Sequence, residues 1–211
     1  MVRQTRSSLE VARTESVANI VKLGGIVHRQ VRRPGRPILE ESYANFRDVL
    51  ALIDPNATAA IEQALAADPA SARALYLRGS AALTGGNPGP ALEAAERGLK
   101  SRPKSPLLLS IVAAAKHLQE KTAERDAAIR KIHEVNPACG LPYLQIGRAL
   151  LSVGWQYQAA NLFFRKATET NPRWWPALVE YGMNCLRIGD EETGSKILRD
   201  AGFTLVYPPV P

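Results

Sequence analysis

Apolar residues fall in paired runs at helical spacing, and short breaks rich in Pro, Gly and Asn separate the runs. Ile38, Leu39, Tyr43, Phe46, Leu50 and Ile53 recur every three to four residues, which predicts an amphipathic helix. Asp54-Pro55-Asn56 stops it, and Asn56 or Ala57 starts a second helix that runs to Ala67. Asp68-Pro69 ends that one, because proline disfavours helical geometry in the residue before it. The clearest pair follows: a helix over Ser71 to Leu83, the turn Thr84-Gly85-Gly86-Asn87-Pro88, and a second helix ending before Pro103. Gly86 suits a left-handed helix end. Pro88 suits a first turn, where its missing N–H would be unpaired in any case.

The pattern repeats. Pro69, Pro103 and Pro137 are spaced by 34 residues, and Pro172 follows after 35. A period of this size predicts stacked helical hairpins. The pair in 104–137 keeps the period but carries Gln119-Glu120-Lys121-Thr122 in place of the Gly turn. In 138–172, Gly147, the turn residue Gly154 and Ala159-Ala160 recur, and one extra turn residue near Trp155 accounts for the longer step. In 173–203, Gly182 and the turn Gly189-Asp190 recur, with Asp190 as N-cap and Glu191 and Glu192 in the first turn, where the helix dipole favours acids. The expected fold is all-α: a solenoid of antiparallel helix–turn–helix units over 38–204, the first of them (38–69) degenerate. A basic arm (1–37) precedes it, and an extended tail containing Tyr207-Pro208-Pro209-Val210-Pro211 follows (205–211). Such arrays act through extended surfaces more often than through pockets.

Within each unit, large and small residues hold fixed offsets. A large residue of the first helix reads Leu75, Leu109, Tyr143 and Leu178, and a small one reads Gly79, Ala113, Gly147 and Gly182. In the second helix the small positions read Ala91, Arg125, Ala160, Gly194 and Gly98, Ile132, Ala167, Ala201. Gly or Ala at a crossing lets two helices approach closely while larger neighbours fill the groove. From Ser71 to Gly202 this register resembles the tetratricopeptide repeat family; Arg125 and Ile132 depart from it.

The resemblance implies a right-handed superhelix whose first helices line a concave groove. The groove-facing offsets fall on Tyr76, Ser80, Leu83, Ser110, Ala114, His117, Leu144, Arg148, Leu151, Val179, Met183 and Leu186. Some members of that family hold acidic C-terminal peptides in a Lys, Asn and Arg clamp. Tyr76, Ser80 and Thr84 in one repeat and Leu144, Arg148 and Ser152 in another do not supply it. An apolar groove with few polar points suits an amphipathic helix or an extended hydrophobic peptide. On this reading, Leu144→Glu or Met183→Glu would abolish binding and leave the fold intact. Trp174-Trp175, where the third hairpin hands over to the fourth, is a candidate anchor: one ring a wedge between hairpins, the other partly exposed.

Charge adds a second feature. Of the net +7, +6 lies in residues 1–36, where eight Lys or Arg face only Glu10 and Glu15. Arg29, Arg32, Arg33 and Arg36 cluster around the helix-breaking Pro34, Gly35 and Pro37. The arm admits three readings: a contact to nucleic acid or an anionic membrane surface, an organelle presequence, or a solvated extension.

Other chemistry is sparse. Hydrophobic residues make up 45% of the 211, enough for a continuous core. The apolar segment Ala18 to Val27 is too short to span a bilayer and carries Lys22. Cys139 and Cys185, 46 residues apart, read as free thiols of a reducing compartment, cytoplasmic or other. His28, His117 and His133 share no ligand spacing with Cys or carboxylates, and no phosphate-binding or nucleophile-elbow motif occurs. The expectation is a non-catalytic protein–protein interaction module without a cofactor or metal, such as an adaptor, chaperone or assembly factor. The alternative is a structural subunit of a larger complex, anchored through the arm to RNA or an anionic surface.

Overall fold

A computed structural model describes residues 58–202 in full and the backbone of 29–30, 57 and 203–204. The expected helix over 38–53, most of the basic arm and the tail 205–211 lie outside the described residues. So do the side chains of Arg29, Arg32, Arg33 and Arg36.

The described chain is helical: α1 (Ala57–Ala67), α2 (Ala72–Thr84), α3 (Pro88–Ser101), α4 (Pro106–Leu118), α5 (Thr122–Val135), α6 (Leu141–Ser152), α7 (Tyr157–Thr170), α8 (Trp175–Arg187) and α9 (Glu191–Asp200). A two-residue antiparallel pairing, Arg29–Gln30 with Phe203–Thr204, is the one extended feature among these residues. The helices pair as α2/α3, α4/α5, α6/α7 and α8/α9, with α1 packed on α2. Helix starts follow local chemistry. Ser71 and Asp190 accept backbone N–H bonds from Ala74 and Thr193, and proline sits in the first turn of α3, α4, α6 and α8.

The turn inside each hairpin is also regular. A residue with positive φ stands at Gly86, Glu120, Gly154 and Gly189, spaced 34, 34 and 35 residues apart. In three of the four, paired backbone bonds close the helix end: Gly86 to Leu83 with Asn87 to Ala82, Glu120 to His117 with Lys121 to Lys116, and Gly189 to Leu186 with Asp190 to Cys185. Glu120 therefore occupies a left-handed position, φ 61°, that the other hairpins give to glycine. A Cβ there costs about 1–2 kcal/mol, part of which glycine forfeits through its freer unfolded chain. Glu120→Gly is expected to raise stability by about 0.5–1 kcal/mol, read as a higher urea midpoint at unchanged slope.

The hairpins are locked where small residues meet large ones. A Cβ on Gly79 would lie 2.8 Å from Ile111 Cγ2, and one on Gly182 would lie 2.7 Å from Leu198 Cγ. At Gly147 the Phe164 ring fills the place a side chain would take, and Phe164 is fully buried. Leu75, Leu108, Ile111, Ile146, Phe164 and Ala167 run as one continuous core along the stack.

Hairpin stacking is uneven. The first helices α2, α4 and α6 pack on one another, and α2 even reaches α6 across α4. The last junction differs: α8 packs on α7 and α9, and its backbone stands apart from α6.

Candidate functional site

The concave face is closed over the first three hairpins. Tyr76, Ser80, Leu83, Ser110, Ala114 and Leu144 are buried, Ser110 and Ala114 completely and Leu144 to 1% exposure. As placed, these six side chains offer a partner little accessible surface, because α2, α4 and α6 pack on one another around them. In α4, Ser110 and Ala114 are small and fully buried, which suits close helix packing, and α2 and α6 also meet each other. Gln145 of α6 donates to the Tyr76 hydroxyl across this seam, and the Ser110 hydroxyl turns back to the Leu107 carbonyl at 2.6 Å.

Two further positions point elsewhere. Leu186 packs against α9, where a Cβ on Gly194 would come within 2.8 Å of its Cδ2. His117 lies edge-on to the Phe163 ring of α7, centroids 4.8 Å apart, and its Nδ1 is 3.2 Å from Arg125 Nη1 of α5. A guanidinium only donates, so the imidazole accepts at Nδ1 and is neutral, with its proton on Nε2. Arg125, the large residue at an otherwise small position, is accommodated by this bond and by Asp126 Oδ1 at 2.8 Å. Burial first, then the Arg125 charge, holds His117 below its ordinary pKa. A depressed histidine pKa contributes stability that is present above about 6.5, the unfolded value, and lost as pH falls through the folded value. The urea midpoint is therefore expected to drop between pH 7.5 and 5, by more in the wild type than in His117→Gln. Equal drops would mean that His117 is not the group responsible.

The junction between α6 and α8 is less closely packed than the others. Arg148 Nε donates to Glu180 Oε1 at 2.8 Å and spans it, each side chain 22% exposed. One turn after Arg148, Leu151 of α6 is half-buried and packs on the core, and Val179 and Met183, one turn apart on one face of α8 and close to Glu180 in sequence, are half-buried too. No further first helix flanks α8 among the described residues, which is why these apolar groups keep accessible surface. Glu180 was missed by the sequence reading; its pairing with Arg148 follows from the stacking of two hairpins, 32 residues apart.

Trp174 packs on the core, its ring edge 3.2 Å from the point a Gly140 Cβ would occupy, and Trp175 is half-buried at the first residue of α8. Asn184, fully buried, donates to the Tyr157 carbonyl and to Asn161 Oδ1, both at 2.9 Å, and pins α8 to the start of α7. Burial raises the pKa of Cys139 and Cys185, so neither is a thiolate nucleophile at neutral pH. Among the described residues no group of three or more His, Cys, Asp or Glu is placed to hold a metal, and no helix is long and apolar enough to cross a membrane.

No protein-family model matches the chain, and no curated protein is significantly similar to it. Solved structures with similar helix arrangements include a thermophilic tetratricopeptide protein of Thermus thermophilus, TTC0263, at 19% identity and TM-score 0.48, covering 77% of this chain and 85% of that one. MamA is similar at 18% identity and TM-score 0.40, covering 79% and 94%. The first tetratricopeptide domain of human RPAP3 gives 19% identity and TM-score 0.38, covering 59% and 97%. By its own period, turns and crossings, the chain is a tetratricopeptide-like α-solenoid.

Proposed function

We propose that the chain is a non-catalytic interaction module that receives a protein segment on the open face between α6 and α8. The observation that carries this reading is the contrast along one concave side. The first helices seal together through three hairpins and then part, leaving Leu151, Val179 and Met183 accessible around the Arg148–Glu180 pair. Apolar side chains flanking one ion pair suit an amphipathic helix. Its apolar residues would cover Val179 and Met183, and a polar residue at the edge would bond to Arg148 or Glu180. Adaptor, chaperone and assembly roles all draw on this chemistry.

The test compares Met183→Glu with Leu162→Glu, a charge placed on the exposed side of α7. Against the proteins that the wild type retains from native extract, Met183→Glu is expected to lose at least about tenfold in affinity, and Leu162→Glu to bind like the wild type. Equal retention by both variants would refute the assignment.

A further inference from the structure

Each junction along the stack is held in a different way. At the first, α4 packs on both α2 and α3; at the second, α6 packs on α4 and reaches α2. At the third, α8 packs on α7, and its backbone stands apart from α6.

The core records the same change. The cluster of buried apolar residues that runs through the first three hairpins takes one fully buried member from the fourth, Ala177. Trp174 and Tyr181 pack against it, partly buried. Cys185 and Leu198 are completely buried as well, but they lie outside that cluster. Leu198 belongs to the interior of its own hairpin. A Cβ on Gly182 would meet it, and one on Gly194 would meet the Gly182 carbonyl and Leu186. So α8 and α9 are locked to each other and thinly joined to what precedes them.

Polar groups do not make up the difference. The Arg148–Glu180 pair crosses the junction, but it keeps part of its surface in water, where such pairs contribute little. The Asn184 amide crosses it too, donating to the Tyr157 carbonyl and Asn161 Oδ1. Its own Oδ1 is buried and meets no donor among the described residues, which lowers the net gain from burying that amide.

In a repeat array, stability is the sum of each unit and its interfaces, so an end unit with a thin interface separates first. Helices of thirteen and ten residues are too short to persist alone in water, so separation and melting coincide.

We infer that α8 and α9 form one opening unit, a clasp that comes off α7 while the first three hairpins stay folded. Opening carries Val179 and Met183 away from Leu151 and takes apart the face proposed above for docking. On that docking reading, a segment lying across α6 and α8 holds the clasp shut, which couples binding to the ordering of the last hairpin.

Hydrogen exchange of the free full-length chain, followed by mass spectrometry, tests the clasp without any partner, so its outcome is independent of the docking reading. The amides of α8 and α9 are expected to exchange together, at least about tenfold faster than those of α2, α4 and α6. Glu180→Gln keeps the size of the side chain and removes its charge. It should quicken α8 and α9 about two- to fivefold further and leave α2 and α4 unchanged. A shared rate from α2 to α9 would overturn the inference. So would rapid exchange of α9 without α8, or a Glu180→Gln protein in which every helix quickens to the same degree.

Discussion

Phe164→Ala is expected to cost roughly 3–5 kcal/mol, the range for emptying a fully buried aromatic site. The cost is large because the cavity cannot collapse. The ring lies over the backbone of Gly147 on the facing helix, and no side chain there can move in to replace it. The same geometry predicts a coupling between the two positions. Gly147→Ala alone drives a methyl group into the ring, at about 1–3 kcal/mol for overpacking, against which the better helix propensity of alanine returns about 1. In the Phe164→Ala background that methyl group fills vacated space, and the propensity gain stands unopposed. Gly147→Ala should therefore stabilise the Phe164→Ala protein, giving a coupling of about 1–3 kcal/mol in a double-mutant cycle followed by urea denaturation. Additive effects would mean that the ring and the glycine are not in register.

Leu144→Glu is expected to unfold the chain or leave it barely folded at 25 °C. Leu144 is 1% exposed in the seam where α2, α4 and α6 meet, and a carboxylate there would be buried without a partner. Such a charge costs several kcal/mol, a large share of the roughly 5–15 kcal/mol that holds a domain together. Met183→Glu, on the half-buried face of α8, should keep its helical circular dichroism and melt within a few degrees of the wild type. The sequence reading treated these two positions alike; the structure separates them into core and surface. Two cooperative melts near the wild-type temperature would show that the seam at Leu144 is open in solution.

The hairpins were legible because each local signal repeats. Prolines at fixed intervals, a left-handed turn residue and small residues at helix crossings are short-range demands, and the period lets weak signals reinforce one another. Glu120 illustrates the limit: nothing in its own type announces positive φ, yet its register against Gly86 and Gly154 does. The candidate site was less legible because exposure is not periodic. Offsets place Tyr76, Ser110, Leu144 and Met183 on one side of their helices, but which of them stays accessible depends on how closely neighbouring hairpins approach. Around the fully buried Ser110 and Ala114 of α4 the approach is close, and α2, α4 and α6 pack on one another. His117 was misdirected for a related reason: Arg125, noted as a departure from pattern, draws the imidazole toward α5 and α7. Trp155 was visible as an insertion, but its exposure follows from two consecutive left-handed residues that composition does not reveal.

The central claim, that a partner segment docks between α6 and α8, is tested most directly by site-specific photo-crosslinking. A photoreactive phenylalanine analogue would replace Met183 in one protein and Leu162 in another, and both would be irradiated in native extract. The predicted result is a discrete crosslinked partner from position 183 that is absent from position 162, with the attached peptide reading as an amphipathic helix. Crosslinks from position 162 alone, or an identical set from both positions, would contradict the account.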